Sequence, residues 1–151
     1  MRIGIDLDSV CIEFSTNKPL PGLTEDLRRI HAWAAIRGHR LLCISGRAIR
    51  LTAGPNTGML GAIDALIKAE IFYVFEEFHF INGFHKTVVA TDLLLDDDPM
   101  VYDAWLKHGG NPDNFILFRT EENKHLWLYD ELAQISSLKD LPDIVDRLLG
   151  L

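Results

Sequence analysis

The amino-acid sequence predicts an α/β fold, a Rossmann-like three-layer α/β/α sandwich around a central, mostly parallel sheet. Short apolar runs such as Ile3 to Ile5 and Leu93 to Leu95 have the composition of buried strands. Segments with apolar residues at helical spacing lie between these runs, and such alternation produces right-handed βαβ crossovers. The length of 151 residues suits one domain with a full core, and no linker or repeat divides it. Residues 1–151 are therefore expected to form a single domain.

Composition and charge exclude several classes of protein. A hydrophobic content of 48% and a charged content of 25% are ordinary for a globular domain. The formal net charge of −7 argues against a nucleic-acid partner, because a binder of the phosphate backbone needs a basic face. No apolar run approaches the roughly 20 residues that span a bilayer, and the first residues do not resemble a signal peptide. The two cysteines, Cys11 and Cys43, are too few for a disulfide framework, fit a reducing compartment and are predicted to be buried. We therefore expect a cytoplasmic protein, and the lack of a long apolar run predicts no membrane partner.

The first half of the chain is predicted to contain two strands, a loop and a helix. After the strand at Ile3 to Ile5, the prolines and polar residues of Cys11 to Gly22 indicate a loop. Thr24 is expected to cap a helix from Glu25 to about Arg37. A second strand, Leu41 to Ile44, then runs into Ser45-Gly46-Arg47.

The middle of the chain is predicted to contain a loop, a helix and a strand. The glycine-rich stretch Ala53 to Gly61 indicates a mobile loop. A helix is expected from about Leu60 to Ala69, followed by a strand in the aromatic and β-branched run Ile71 to Phe75. Within Glu76 to Lys86, Asn82-Gly83 could turn a hairpin.

The last third continues the same alternation. Leu93 to Leu95 is predicted to be a strand, and Pro99 suits the first turn of a helix that reaches about Lys107. Phe115 to Phe118 is expected to be the next strand. Leu126 to Tyr129 could add an edge strand or pack as a loop, and Leu141 to Leu149 is predicted to form a closing helix.

Polar side chains that could carry chemistry follow successive predicted strands. They are Asp6 and Asp8, then Ser45, then Lys86, then Asp96, Asp97 and Asp98. Because ligands of open α/β sheets bind at the carboxyl ends of the strands, we expect these side chains to converge there. Closely spaced carboxylates repel each other unless a cation or a shared proton relieves them. A hard, oxygen-preferring ion such as Mg²⁺ is therefore the predicted cofactor.

These residue types match the requirements of phosphoryl transfer from a small phosphorylated substrate. Asp6 can attack phosphorus to form an aspartyl phosphate, and Asp8 can protonate the leaving oxygen and later deprotonate water. Ser45 and the backbone N–H groups near Gly46 would bind phosphoryl oxygens. Arg47 could contact a substrate phosphate or could be an exposed loop arginine.

The remaining charged residues would serve the metal and the nucleophile. Magnesium would be held by Asp6, by the backbone carbonyl of Asp8 and by Asp96, with Asp97 as a ligand or as a positioner of water. Lys86 would hold Asp6 ionised and offset charge around the transferred group. Asp98 is expected to be a helix N-cap rather than a ligand.

The sequence resembles the haloacid dehalogenase-like phosphohydrolases. The resemblance rests on Ile5-Asp6-Leu7-Asp8-Ser9-Val10, on Ile44-Ser45-Gly46-Arg47, on Lys86 and on Leu95-Asp96-Asp97. Within that superfamily, the stretch KTVVATDLLLDD from Lys86 to Asp97 looks most like the 5′(3′)-deoxyribonucleotidase branch. The resemblance implies a magnesium-dependent phosphatase with Asp6 as nucleophile, Asp8 as acid and base, Ser45 on the phosphate, Lys86 as the charge partner and Asp96 as a metal ligand.

The sequence also departs from the family pattern. Ser9 stands where the family usually has glycine, and Ile44 replaces one hydroxyl of the Thr-Ser pair of the nucleotidase branch. The intervals from Asp8 to Ser45 and from Ser45 to Lys86 must each supply a helix and a strand, which leaves no space for a separate cap domain. We therefore expect a capless enzyme with an open site. Such a site would either accept a bulky or macromolecular phosphate ester or be covered by another subunit or by the loop Ala53 to Gly61. The expected substrate is a nucleotide or another small phosphate ester, with a macromolecular ester as the alternative.

A different class of function is a catalytically silent metal-binding or regulatory module that keeps the acidic pocket. A signalling receiver domain also combines aspartates with a lysine, but its lysine comes last, whereas Lys86 precedes the final acids here. Four of the six histidines are expected to be surface or packing residues, and a group of five aromatic residues is expected to belong to the core. These are His79, His85, His108 and His125, and Phe72, Tyr73, Phe75, Phe78 and Phe80.

Overall fold

A computed structural model describes residues 1–49, 58–125 and 131–151, and it contains one six-stranded sheet. All paired strands run parallel, in the order β3-β2-β1-β4-β5-β6. The strands are β1 (Arg2–Ile5), β2 (Arg40–Ser45), β3 (Glu77–Phe80), β4 (Leu93–Asp96), β5 (Phe115–Phe118) and β6 (Ala133–Ile135). The predicted Rossmann-like α/β sandwich with a parallel sheet is therefore confirmed.

The central position of β1 follows from its residues. Ile3 pairs with Leu41 on one side and with Leu93 on the other, and both Ile3 and Ile5 are fully buried. The apolar part of β1 that follows Arg2 can be covered on both faces and paired at both edges. Gly4 fits here because an added Cβ would lie 2.7 Å from the Ile44 side chain. The first acids of the chain therefore lie directly after a central strand of the sheet.

Helices cover both faces of the sheet. They are α1 (Leu23–Arg37), α2 (Met59–Lys68), α3 (Pro99–Lys107) and α4 (Leu141–Leu148). Buried residues of α1, α2 and α4 form one core cluster with Ile3 and Ile5, whereas Val101 and Trp105 of α3 form a second cluster with Leu42 and Phe115. These two clusters are the two interfaces of a three-layer sandwich.

The amino end of α1 differs from the prediction. The helix begins at Leu23, and Gly22 in the left-handed conformation precedes it, so Thr24 is not its cap. The Thr24 hydroxyl instead donates a hydrogen bond to the Ala69 carbonyl. The carboxyl end is as predicted, because Gly38 adopts a left-handed conformation there.

The strand predicted at Ile71 to Phe75 is wrong. Phe72–Val74 form a 3-10 turn, and the strand β3 follows at Glu77–Phe80. Three side chains of this run, Ile71, Val74 and Phe75, are buried and cover the core. Phe72 and Tyr73 are exposed. The core assignment of those two aromatic residues was therefore also wrong.

The hairpin considered at Asn82-Gly83 does not form. The Ile81 and Gly83 N–H groups donate to the carbonyls of Ser45 and Gly46, so this segment continues alongside the end of β2. The short edge strand β6 was not predicted, because its sequence Ala-Gln-Ile carries little apolar pattern. Leu126 to Tyr129 lies outside the described residues, as does residue range 53–57 of the predicted loop.

Other predicted features agree with the structure. The helix expected at Pro99 to Lys107 has those bounds, and α2 and α4 match to within one residue at each end. Cys11 and Cys43 are both buried and unpaired, and burial raises the pKa of each thiol. No helix among the described residues is both long and apolar enough to cross a membrane.

Candidate active site

A cavity of about 460 Å³ opens at the carboxyl ends of the central strands. Most of the predicted site residues line it, namely Asp6, Asp8, Gly46, Arg47, Lys86, Asp96 and Asp97. The register explains this convergence, because Ile5 pairs with Cys43 of β2 and with Leu95 of β4. Asp6 and Asp96 thus emerge side by side one residue later, and the Asp6 N–H donates to the Leu95 carbonyl at 2.9 Å.

Lys86 is the buried cation of the site. Its Nζ donates to Asp6 Oδ1 at 2.7 Å, to Asp96 Oδ2 at 2.5 Å and to the Ile44 carbonyl at 2.7 Å. The side chain is only 2% exposed. Burial opposes the charged ammonium, but the Asp6 and Asp96 carboxylates outweigh it and raise the pKa of Lys86. Lys86 therefore carries a positive charge directly between the first and the second acidic motif.

Three carboxylates crowd around this lysine. One oxygen from each of Asp6, Asp96 and Asp97 lies within 4.8 Å of the others. Burial raises the pKa of Asp6 to about 8, with Asp97 adding to the rise and Lys86 opposing it. Burial and the neighbouring carboxylates likewise raise the pKa of Asp96 to about 7 and that of Asp97 to about 7. The three carboxylates therefore repel one another when all of them are ionised.

This donor set fits a divalent cation. When all three acids are ionised, their charges exceed the one ammonium charge of Lys86 by two. Carboxylate oxygens are the ligands that Mg²⁺ prefers, and a dication placed among them would relieve their repulsion. The residues that would hold the ion are Asp6, Asp96 and Asp97.

Asp8 is in the same cavity, but its side chain is engaged elsewhere. The Arg47 guanidinium contacts both Asp8 oxygens, with Nη2 2.6 Å from Oδ1 and Nε 3.0 Å from each oxygen. Arg47 is 4% exposed and is therefore not the exposed loop residue considered above. The Asp8 side chain is not part of the three-carboxylate group, and the role of its backbone carbonyl as a metal ligand stays a prediction. Direct contact of Arg47 with substrate stays a prediction.

Ser45 and Gly46 shape the neighbouring wall. Ser45 is fully buried at the end of β2, and its hydroxyl oxygen accepts the Arg47 N–H at 3.1 Å. A Cβ on Gly46 would lie 2.7 Å from the Gly83 carbonyl oxygen, so only glycine fits where the two loops meet. In this structure Ser45 organises the loop, and its contact with a phosphate stays a prediction.

Ser9 adopts a conformation that glycine takes more easily. Its φ is 65°, in the left-handed region, and its N–H donates to the Ile12 carbonyl at 2.8 Å. A β-carbon is unfavourable at such a φ. The departure from glycine noted in the sequence therefore introduces backbone strain directly after Asp8.

Asn123 is a site-supporting residue that the sequence analysis missed. It is 3% exposed, and its Nδ2 donates to the Asp97 carbonyl at 2.7 Å and to the Phe118 carbonyl at 2.8 Å. Its Oδ1 accepts the Thr120 N–H at 2.8 Å. It thus ties the acidic loop after β4 to the end of β5. Nothing local marks an asparagine in a polar stretch as buried, so no sequence signal identified it.

The other acids and aromatic residues near the cavity have clear positions. Asp98 accepts the Met100 N–H at 2.8 Å and is the N-cap of α3, as predicted. Phe14 and Phe84 line the cavity mouth and are about half exposed, and neither was singled out from the sequence. Their loop positions carry no periodic pattern that would have distinguished them from ordinary surface aromatics.

Comparison with known proteins supports the fold and gives no family at the level of sequence. No family model matches the sequence, and no curated protein matches it. A solved structure from Thermotoga maritima, named as a "putative beta-phosphoglucomutase", has a similar fold with a TM-score of 0.62 and 10% sequence identity. The match covers 97% of this chain and 98% of that one. At this identity the likeness shows a shared Rossmann-like α/β fold and nothing finer.

Proposed function

We propose that the protein is a magnesium-dependent phosphomonoester hydrolase that works through an aspartyl phosphate on Asp6. The observation that carries this proposal is the cluster of Asp6, Asp96 and Asp97 around Lys86 in the wall of the cavity. A purely structural set of acids would not gather three carboxylates with one cation at the carboxyl edge of a parallel sheet. The resemblance to haloacid dehalogenase-like phosphohydrolases assigns the same residues to the same roles.

The proposed reaction has two steps. In the first, an Asp6 oxygen bonds to phosphorus while the bond from phosphorus to the ester oxygen breaks, and a proton from Asp8 goes to that leaving oxygen. In the second, water attacks phosphorus, Asp8 takes the proton of the water, and the bond from Asp6 to phosphorus breaks. Lys86 holds the Asp6 carboxylate in place through its contact with Oδ1. Magnesium, when bound, would neutralise charge on the phosphoryl oxygens.

The proposed substrate is a small phosphate ester, of which a nucleotide is one candidate. The cavity of about 460 Å³ opens at the carboxyl edge of the sheet and could admit such an ester. We also propose that the domain is capless, that a second subunit could cover the site and that the protein acts in the cytoplasm. Because the Thermotoga neighbour is named as a mutase, a second acceptor for the phosphoryl group is also considered. A phosphoryl group on Asp6 could pass to a substrate hydroxyl instead of water.

A substrate-panel screen tests the proposal. Release of inorganic phosphate from sugar phosphates, nucleotides and 4-nitrophenyl phosphate is measured in Mg²⁺ and in EDTA. We expect turnover in Mg²⁺ only, and loss of at least about 1,000-fold in Asp6→Asn, because no nucleophile remains. Asp103→Asn, an α3 carboxylate outside the cavity, is the matched control. Mg²⁺ binding without turnover of any ester would instead indicate the catalytically silent module.

A further inference from the structure

We infer that Arg47 is a positioning residue that orients the Asp8 carboxylate toward the reacting ester. The inference deepens the proposed function and rests on it, because it concerns the acid and base of that reaction. Arg47 is a buried arginine in the cavity wall, and its guanidinium is directed at Asp8. An arginine that only bound the substrate phosphate would not need to contact Asp8.

The contact fixes the rotation of the carboxylate. Two nitrogen atoms of Arg47 reach Asp8, with Nη2 2.6 Å from Oδ1 and Nε 3.0 Å from both Oδ1 and Oδ2. Such charge-assisted, multiply bonded pairs have a defined geometry that a single hydrogen bond lacks. The Asp8 side chain is 23% exposed, so it is held by Arg47 on one side and meets the cavity on the other.

Arg47 is itself held from several directions. Its Nη1 donates to the Gly58 carbonyl at 3.2 Å, and its guanidinium carbon lies 5.3 Å from the centre of the Phe14 ring. Its backbone N–H is bonded to the Ser45 hydroxyl oxygen. A guanidinium that is buried and supported in this way can serve as a rigid reference for a flexible carboxylate. Exact orientation of a catalytic group is one of the larger sources of rate acceleration.

The two oxygens of Asp8 are not equivalent. Oδ1 accepts contacts from two Arg47 nitrogens, whereas Oδ2 accepts one contact from Nε. Oδ2 is therefore the oxygen with a lone pair left for a proton. In the first step Oδ2 gives its proton to the leaving oxygen as the ester bond breaks, and in the second step it takes a proton from the attacking water.

This role predicts an effect that depends on the leaving group. An alkyl phosphate needs its leaving oxygen protonated, whereas 4-nitrophenyl phosphate expels a stable phenolate with little help. Arg47→Gln and Arg47→Lys should lower kcat/KM for the alkyl ester about 10- to 100-fold more than for the aryl ester. The parameter kcat/KM is chosen because it covers only the steps up to cleavage of the ester bond. Arg47→Lys keeps the buried positive charge, so it provides a folded variant if Arg47→Gln is unstable.

A double variant and a matched control complete the test. If Arg47 acts through Asp8, adding Arg47→Gln to Asp8→Asn should cost less than about 3-fold further on the alkyl ester. Arg37→Gln removes an arginine that is likewise paired with an aspartate, Asp146, but lies outside the cavity, and it should leave the alkyl-to-aryl ratio unchanged. Equal losses for both esters, or a rise in KM alone, would overturn the inference while leaving the phosphatase intact. Absence of turnover of either ester by the unmodified protein would instead overturn the proposed function.

Discussion

Single residues decide the charge balance of the site. Lys86 provides one positive charge for the three carboxylates of Asp6, Asp96 and Asp97, and burial raises the pKa of each of these acids. Without a further cation, the three carboxylates therefore cannot all be ionised without repelling one another. The missing compensation is what a bound dication would supply.

The first prediction concerns this compensation. Binding of Mg²⁺ to the folded state alone should stabilise it by about 2.7 kcal/mol at roughly 100 times Kd, which raises Tm by about 5–10 °C for a chain of this length. Asp96→Asn should remove most of that shift, because it deletes a buried carboxylate that is the proposed ligand. Thermal unfolding with and without Mg²⁺ measures the effect. Asp113→Asn, at the amino edge of the sheet, should keep the full shift, and an equal shift in Asp96→Asn would contradict the assignment.

The second prediction concerns the strained backbone at Ser9. Ser9→Gly should raise the free energy of unfolding by about 0.5–1 kcal/mol, because glycine takes a φ of 65° without a steric penalty. Ser136→Gly is the control, since Ser136 has no positive φ and glycine there only adds freedom to the unfolded chain. Urea unfolding compares the two variants. A loss of stability in Ser9→Gly would show that the conformation costs nothing.

At the scale of elements, the sequence predicted the centre of the sheet better than its edges. The runs Ile3 to Ile5, Leu93 to Leu95 and Phe115 to Phe118 became strands because they are apolar and fully covered. The edge strands Glu77–Phe80 and Ala133–Ile135 mix polar and apolar residues, so their pattern is weak. The stronger apolar run at Ile71 to Phe75 instead covers the core, which depends on packing that no local pattern reveals.

The same division holds for the site. Asp6, Asp96 and Asp97 converge as predicted, because they stand at or directly after strands whose carboxyl ends meet. Lys86 also joins them, but from a 3-10 turn (Lys86–Val88) rather than from a strand end. The Arg47 contact to Asp8 and the Asn123 anchor on Asp97 were not predicted. Both depend on the direction of one side chain across a loop, and sequence spacing does not determine that direction.

The third prediction concerns a tie between strands. Arg2 of β1 pairs with Glu77 of β3 across β2, with Nη1 2.6 Å from Oε2, and the hydrogen bonds from Arg2 and then His79 lower the pKa of Glu77 to about 2. A lowered carboxylate pKa stabilises the fold above the ordinary value of 4.5, and this contribution is lost as pH falls toward 2. The stability gap between the unmodified protein and Glu77→Gln should therefore be constant at neutral pH and close on acidification.

Denaturant unfolding at a series of pH values measures this gap. Glu122→Gln, an exposed acid in the loop after β5, is the control and should show no comparable gap at neutral pH. A gap for Glu77→Gln that widens below pH 4.5 would have the wrong sign for a carboxylate held ionised by Arg2 and His79.

At the scale of the whole molecule, the position of the site follows from chain topology. The chain builds β1, β2 and β3 in one direction and then returns to place β4, β5 and β6 on the other side of β1. The strand order therefore reverses between β1 and β4, and ligands of open α/β sheets bind at such a switch point. Asp6 and Asp96 are the residues at the carboxyl ends of these two strands.

The fourth prediction concerns the unity of the core. Phe115 of β5 is fully buried and packs edge-to-face against Tyr102 and Trp105 on the α3 face. Phe115→Ala should lower the free energy of unfolding by about 3–5 kcal/mol, because it removes a large buried side chain and leaves a cavity. Since one sheet carries both core clusters, unfolding should stay a single transition. Far-UV circular dichroism and tryptophan fluorescence should give the same midpoint, and separate midpoints would show that the two faces unfold independently.

The central claim is that Asp6 becomes covalently phosphorylated, and trapping of the intermediate tests it most directly. The Asp8→Asn variant is mixed with a ³²P-labelled 4-nitrophenyl phosphate in Mg²⁺ and quenched in acid, which preserves acyl phosphates. Asp8→Asn removes the proposed base that activates water, so the label should accumulate on the protein. The account predicts label on the peptide that contains Asp6 and none in the Asp6→Asn, Asp8→Asn double variant. Release of one equivalent of nitrophenol with no labelled protein, or label on another residue, would contradict it.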